Sequence, residues 1–503
     1  MRRINILEYL EESEIKNGER IALSDDVCSL SFSHLAVYAR RIGSGLLKGG
    51  FYREPVIVFM DRSPKTVCAF MGVLYAGCFY ACIDPNLPRE RAISIIDTLR
   101  ARVIICDKKS QDAAKIFGGR AEILCYDDLY CGALDEALIA HVRERAIDTD
   151  PAYVVFTSGS TGEPKGICAS HRSVIDYAEA LVRAIDFDEN TVFGNQAPLY
   201  YDAPLKEILP TLLLGAKIVF IPRELFSFPM PLCRFIKEKQ INTLCWTASA
   251  FANISSLGAL GAVSMAHLKT VCFGSEVFPR AEYDKWRNAC PDASFFNLYG
   301  PTEATGMSCY WRAERELEPD EPIPIGKPFA NTEIILIDDN GRPADEGEIY
   351  IRGSCVTNGY FSMIDKSREC FVQNPLNSDY HEIIYKSGDL ARINSHGELV
   401  YIGRRDSRIK HMGRRIELGE IERAAESVSG VYTARCVYDE ASKRICIAFC
   451  GEIDPNELLK VISGMLPGFM RPSLCYCFDK LPETPSGKID RRAILEIVTK
   501  KEI

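Results

Sequence analysis

The sequence predicts an α/β fold: a large N-terminal domain of mostly parallel sheets covered by helices, with a β-rich subdomain, and then a small α+β C-terminal domain. Three features carry that prediction. Short apolar runs closed by Gly, Pro or polar residues alternate with helical stretches from about Ser63 onward, an Asn340-Gly341 pair separates two alternating runs, and the pattern turns mixed again after GRRDSRIKHMG (403–413). In order, an apolar helix over 65–76 leads into strand-like CFYACI, and an amphipathic stretch over 89–99 leads into RVIICD. AYVVFTSG, AKIVFIP, LKTVCFG and SFFNLYG follow. Strands interleaved with helices in this way fit a parallel sheet covered on both faces. TEIILID and GEIYIRG flank the Asn340-Gly341 hairpin signal and GELVYIG comes after, so residues 332–402 read as the β-rich subdomain. Helices are predicted over 417–427, 456–465 and 491–499, with strands near TARCVYD and ICIAFC. The domains are drawn as 1–405 and 406–503.

At 503 residues, 47% of them hydrophobic, the chain exceeds one typical domain and has ample material for large cores. A net charge of -9 excludes a general polyanion binder, so no nucleic-acid partner is expected. The basic stretch at 404–415 leaves small anionic ligands open. Twenty cysteines are present, but no C-x2-C pair occurs, which argues against structural zinc. Scattered in this way they read as small buried apolar side chains in a reducing compartment, taken as the cytoplasm. The N-terminus lacks a continuous apolar stretch and is not a secretory signal. Residues 67–83 are 17 apolar residues in a row, just short of a membrane span. Gly72 and Gly77 interrupt the run and DPNLPRER follows, so it reads as a buried helix entering a buried strand, without membrane insertion.

The most informative stretch is TSGSTGEPKG at 157–166, directly after the strand-like AYVVF. Glycines let a backbone approach an anion, and successive N–H groups form a cradle for phosphate oxygens. Three hydroxyls (Ser158, Ser160, Thr161) and Lys165 add donors and positive charge. It is not a P-loop, because Pro164 precedes the lysine and Gly166 follows it.

This string resembles the phosphate loop of the adenylate-forming superfamily: acyl-CoA synthetases, luciferases and the adenylation domains of nonribosomal peptide synthesis. Five further motifs appear in that family's order: NLYGPTEAT (297–305), GEIYIRGSCVTNGY (347–360), YKSGDL (385–390), GRRDSRIKHMGRRIELGEIE (403–422) and PETPSGKIDR (482–491). Their wording is most similar to free-standing amino-acid adenylation enzymes such as D-alanine:carrier-protein ligases. The resemblance implies a ligase that uses ATP and Mg2+ to activate a carboxylic acid as its acyl-AMP and then passes the acyl group to a thiol. Thr157, Ser158, Gly159, Ser160, Thr161, Gly162 and Lys165 would hold the phosphates, with Gly300 in the adenine loop. Tyr299 would stack on adenine and Asn297 would bond its amino group. Thr302 would hold the α-phosphate and Glu303 would ligate Mg2+, a hard cation suited to carboxylate and phosphate oxygens. Asp389 would accept from the ribose hydroxyls, and Arg404 would contact ribose or phosphate. Lys488 would bridge the substrate carboxylate and the ribose–phosphate region, where a carboxylate must attack an already anionic phosphorus. The same family pattern makes the C-terminal domain mobile about a hinge at Asp406, removing Lys488 and bringing the loop around Gly413 to the site for thioester formation.

LYYDAPLKEI (199–208) falls where amino-acid adenylation domains carry the aspartate that pairs with the substrate ammonium, and Asp202 matches it. Its Tyr-Asp-Ala-Pro wording departs from the usual form. Lys206, four residues on, offers an alternative partner on the same helix face. The resemblance places Ala203, Lys206, Cys245, Val271, Phe273, Leu298, Gly306 and Met307 around the acid. Most are apolar; Lys206, if directed inward, invites an acidic side chain, whereas D-alanine ligases carry an apolar residue there. No carrier-type serine motif follows PSGKIDRRAIL, so the thiol is expected in trans, on a phosphopantetheinyl carrier protein or on coenzyme A. The alternatives are an acyl-CoA synthetase for a non-amino acid and an inactive adenylate-binding regulator, against which the retention of Lys165, Glu303, Asp389 and Lys488 argues.

Overall fold

The computed structural model describes residues 3–157, 164–319, 321–405, 408–482 and 489–500. These form two compact units, one comprising Met1–Pro85, Ile96–Val155 and Gly166–Gly403, the other Asn86–Ile95, Phe156–Lys165 and Arg404–Ile503.

The first unit is built on three sheets. One has nine strands in the order Lys327–Pro328, Cys309–Arg312, Ser294–Tyr299, Thr270–Gly274, Thr243–Thr247, Val192–Asn195, Lys217–Phe220, Ile21–Ser24, Ser29–Ser31. Its six central strands pair in parallel and its edges are antiparallel. A second, six-stranded sheet is parallel through Glu122–Cys125, Val103–Cys106, Pro55–Phe59, Phe79–Ile83 and Pro151–Thr157. The strands buried on both sides are continuous apolar runs; every residue of Val103–Cys106 is buried.

The long apolar run at 67–83 resolves as the helix Pro64–Tyr75 and the strand Phe79–Ile83. Ser63 caps the helix by accepting from the Thr66 N–H, Pro64 sits at its first turn, and all but one of its residues are buried. Gly77 ends it at φ +68, where a side chain is disfavoured. Among the described residues no helix is long and apolar enough to cross a membrane. All twenty cysteines are free thiols, and more than half are buried.

The third sheet is antiparallel. Thr332–Ile337 pairs with Glu346–Gly353 around the Asn340-Gly341 turn, and Ile383–Ile393 joins Glu346–Gly353 to Phe371–Gln373 and Leu399–Arg404. In the second unit a two-stranded ribbon, Arg408–His411 with Arg414–Glu417, leads to the helix Leu418–Glu426. A three-stranded sheet of Val431–Asp439, Arg444–Gly451 and Leu474–Cys477 shares its core with Leu418–Glu426 and Pro455–Met465.

Candidate active site

In the first unit the chemistry gathers where Ser294–Tyr299 ends. The chain leaves that strand through Gly300 and Pro301 into the one-turn helix Thr302–Ala304, then takes left-handed conformations at Thr305 (φ 56) and Gly306 (φ +93). Gly300 is required by space: a Cβ there would lie 2.4 Å from the Met307 Cα and 2.5 Å from the Gly306 carbonyl. The turn is fastened from outside by the segment that follows Glu346–Gly353. The Thr357 amide and hydroxyl both donate to the Glu303 carbonyl at 3.0 Å, and the Thr305 hydroxyl donates to the Cys355 carbonyl at 2.6 Å. The Tyr360 hydroxyl donates to Glu303 Oε1 at 2.8 Å. Residues 358–361 are themselves hydrogen-bonded to Gly166 and Cys168, in the strand that follows the Gly/Ser-rich loop.

Two sequence motifs meet at the next contact. Tyr299 donates its hydroxyl to Asp389 Oδ2 at 2.6 Å, and both side chains are buried. Burial, reinforced by the Asp389 charge, pushes the Tyr299 hydroxyl well above its ordinary range, so it stays a donor. Asp389 is presented by a tight turn in which the Ser387 hydroxyl accepts from the Asp389 amide at 3.0 Å and donates to the Ile349 carbonyl at 2.7 Å. Asn297, two residues before Tyr299, donates through Nδ2 to the Pro324 carbonyl at 2.7 Å, which directs its Oδ1 the other way. Glu303 is a buried carboxylate with one hydroxyl donor shown on one oxygen. Mg2+ bound mainly through phosphates and water needs only one or two carboxylates, so this residue fits that ion. No cluster of three metal-ligating side chains occurs among the described residues.

A second group of charges lies on the side of the nine-stranded sheet covered by the helices His171–Ala184 and Leu205–Leu214. Asp202, partly buried, hydrogen-bonds Thr302. Burial pushes its carboxyl up, while the Thr302 hydroxyl and the Lys206 charge oppose that shift. Gly306 lies against this group: a Cβ at that position would stand in ordinary contact with it, 3.7 Å from Asp202 Oδ2 and 3.9 Å from Tyr177 Cζ. Ala203 follows Asp202 in the turn before Leu205–Leu214, and Lys206 and Glu207 in its first turn are both buried. The Asn195 amide donates to Glu207 Oε2 at 2.5 Å, and Arg62 donates to the Asn195 side-chain oxygen at 3.0 Å. Burial pushes Glu207 up to about 8.

Of the residues predicted to surround the acid, Cys245, Leu298 and Met307 share a core with Tyr177 on this face, and Cys272 joins them. Val271 and Phe273 are not brought there. Strand alternation turns them to the opposite face, where Phe273 packs 5.0 Å from the Phe278 ring and 5.7 Å from the Tyr283 ring. Thr157 ends the strand Pro151–Thr157. In the second unit, Lys165 is buried and its Nζ lies 3.0 Å from Glu417 Oε1, and Arg404 closes the strand Leu399–Arg404. Ser158, Gly159, Ser160, Thr161, Gly162, Asp406 and Lys488 lie outside the described residues. Tyr360, Thr357, Glu207 and Cys272 received no role from the sequence. Tyr360 stands inside a quoted motif, which marked the segment but not the contact; only the sheet topology sets it against Glu303.

A paired tyrosine and aspartate and a buried glutamate on a fixed turn thus lie in one unit, with Asp202, Lys206 and Glu207 gathered on one face of its nine-stranded sheet. Comparison with known proteins gives the family: the profile described as AMP-binding enzyme matches residues 10–361, and the chain belongs to that family, within the adenylate-forming superfamily. It is 31% identical over 506 residues to tyrocidine synthase 3 of Brevibacillus parabrevis, covering 98% of this chain and 8% of that protein. It is 30% identical over 514 residues to the dimodular nonribosomal peptide synthase of Bacillus subtilis, covering 98% of this chain and 21% of that protein. The chain thus spans only a small fraction of those relatives' length. Among solved structures, an NRPS protein containing adenylation and PCP domains matches with a TM-score of 0.85 at 24% identity, covering 98% of this chain and 84% of that one. At this identity the structural likeness speaks for the fold.

Proposed function

We propose that this enzyme activates an amino acid as its aminoacyl-AMP, releasing pyrophosphate, and then transfers the aminoacyl group to the phosphopantetheine thiol of a separate carrier protein. The observation that carries the reading is Asp202: a desolvated carboxylate beside Gly306, hydrogen-bonded to Thr302 of the Thr302–Glu303 turn. A carboxylate so placed is costly without a cation, and a substrate α-ammonium supplies one. The relation to a nonribosomal peptide synthase supports an amino-acid substrate, since amino acids are the units from which a peptide is built.

In this reading adenine packs on Tyr299 with its amino group on Asn297 Oδ1, while Asp389 accepts from the ribose hydroxyls. Thr302 bonds the α-phosphate. Lys165 and the loop 157–162, with Gly300 shaping the adenine turn, hold the rest of the nucleotide, and Arg404 contacts the ribose or phosphate. Mg2+ would be held by Glu303 and phosphate oxygens, and would offset charge on the departing pyrophosphate. The substrate carboxylate oxygen bonds the α-phosphorus as the bond from that phosphorus to the pyrophosphate oxygen breaks, and Lys488 offsets the repulsion between the two anions. The carrier thiolate then attacks the acyl carbon and AMP leaves with the bonding pair. The segment 406–503 acts as a mobile domain turning about Asp406 between these steps. Ala203, Cys245, Leu298 and Met307 shape the acid pocket.

ATP–pyrophosphate exchange across amino acids and simple carboxylic acids tests the reading. Exchange is expected only with amino acids, and Asp202→Ala is expected to raise the amino-acid KM by about 10²-fold or abolish exchange while ATP binding persists. Exchange with a fatty acid in preference to every amino acid would replace this function by an acyl-CoA synthetase, and coenzyme A serving better than a carrier protein would replace the acceptor.

A further inference from the structure

Two neighbouring strands of the nine-stranded sheet place a cysteine at the same level. Thr243–Thr247 and Thr270–Gly274 pair in parallel with Cys245 opposite Cys272. Alternation settles which way the side chains point. Leu244, Trp246, Val271 and Phe273 join one core, whereas Cys245 and Cys272 join the other, with Tyr177, Leu298 and Met307. The two thiols therefore stand side by side on one face, in the core of Tyr177, whose ring borders Gly306 together with Asp202. Both are free thiols, and at 1% and 0% exposure they admit only a small reagent.

The surroundings narrow what such a pair can bind. Parallel strands hold facing residues about 4.8 Å apart with side chains perpendicular to the sheet, wider than the roughly 3.8 Å between the Cβ atoms of an unstrained disulfide. Oxidation to a disulfide is therefore disfavoured. Burial, reinforced by the adjacent Cys272 thiol, pushes the Cys245 thiol well above its ordinary range, so it is protonated at neutral pH. A soft metal ion needs thiolates and further ligands, and no group of three metal-ligating side chains occurs among the described residues. The pair suits an atom that bonds two sulfurs without leaving charge behind and brings its own third substituent.

We infer that Cys245 and Cys272 form a dithiol site for trivalent arsenic, and that filling it obstructs the acid. The site stands on the strand register; the obstruction rests on the amino-acid reading of this face. With arsenous acid, As(OH)3, two S–H bonds and two As–O bonds break and two As–S bonds form. Each departing hydroxide takes one thiol proton and leaves as water. Arsenic stays trivalent, so no oxidant or reductant takes part. The product keeps one As–OH group and no charge, which an apolar wall tolerates far better than an ion. The second sulfur adds within the same molecule, so a fixed pair is favoured over any single cysteine.

The test adds sodium arsenite to the full chain and measures bound arsenic by atomic absorption, together with ATP–pyrophosphate exchange. The wild type is expected to lose kcat/KM for its amino acid by on the order of 10–100-fold, the scale of forcing extra volume into a packed wall, with the KM for ATP unchanged. 2,3-Dimercaptopropanol should restore exchange and 2-mercaptoethanol should not. Cys245→Ala and Cys272→Ala should each bind one arsenic fewer than the wild type, and their exchange, whatever its starting rate, should not respond to arsenite. Cys106→Ala breaks another in-register pair, Cys106 with Cys125, and should stay as sensitive as the wild type. Arsenic content undiminished in the Cys245 or Cys272 variant overturns the site, as does sensitivity lost in Cys106→Ala instead. Arsenic bound through Cys245 and Cys272 with undiminished exchange keeps the site but overturns its obstruction of the acid. Exchange with no amino acid sinks the proposed function, while the arsenic content still decides the site. Either alanine variant decides alone, so the failure of one to fold leaves the test intact.

Discussion

The two polar clusters of the first unit are built on opposite principles. Around the turn Thr302–Ala304 each carboxylate already has a protein donor: Tyr360 on Glu303 and Tyr299 on Asp389, with Thr357 and Thr305 fixing the backbone. In the other cluster Lys206 and Glu207 are buried, and Glu207 keeps an unpartnered oxygen among the described residues. In the proposed function the first cluster meets the nucleotide, a ligand that is always the same. In the same reading the second meets the acid, a ligand that must be chosen. A site gains rate from groups that need not move, and selectivity from groups that are unfavourable until the right partner arrives.

The largest effect should come from breaking the first cluster. Glu303→Gln keeps the shape and the Tyr360 contact but removes the charge, and exchange should fall by on the order of 10²–10³ with every acid alike. Steady-state exchange with two different acids checks this. A loss confined to one acid would mean that Glu303 belongs to the selective cluster, and the contrast between the two would collapse.

A smaller effect should follow from Tyr360→Phe, which removes only the hydroxyl from Glu303 Oε1. One charge-assisted hydrogen bond amounts to about 1.5 kcal/mol, so exchange should drop roughly tenfold and the Mg2+ concentration for half-maximal rate should rise. A variant with lower thermal stability but an unchanged Mg2+ dependence would reduce Tyr360 to a structural support.

The same contrast governs what the sequence revealed. The α/β class was legible because buried parallel strands are continuous apolar runs and because the Asn340-Gly341 turn announces an antiparallel hairpin. The 17-residue apolar run read correctly as helix and strand, since Gly77 and the polar segment after Ile83 leave no other economical path. Pairing over long separations was not legible: Ile21–Ser24 lies beside Lys217–Phe220, and no local pattern encodes that. In the nucleotide cluster, motifs delivered Tyr299 and Asp389 separately, whereas their 2.6 Å contact depends on how two sheets meet. The family resemblance named Val271 and Phe273 around the acid, but a strand exposes alternate residues, and Cys272 is the one on the face shared with Tyr177. Whether a lysine in an amphipathic helix points in or out is likewise a tertiary matter, and Lys206 is buried.

The smallest effect concerns the stability cost of keeping the acid pocket unmatched. Glu207 is fully buried, its folded pKa lies near 8, and an unfolded glutamate titrates near its ordinary value of about 4.3. Between those values the folded protein holds a proton that the unfolded chain has released. Raising the pH therefore lowers stability through this window, and the contribution of the protonated form is present below about pH 4 and lost by about pH 8. Glu207→Gln retains an acceptor for the Asn195 amide and cannot ionise. Its melting temperature should match the wild type near pH 5 and exceed it by roughly 2–5 °C at pH 8–9, the range expected when about 1–2 kcal/mol is recovered in a domain of this size. Calorimetric melts of both proteins at four pH values between 5 and 9 check the sign. Parallel curves would show that Glu207 is ionised in the folded state at neutral pH, which would give Lys206 an internal counter-charge and blunt the difference between the two clusters.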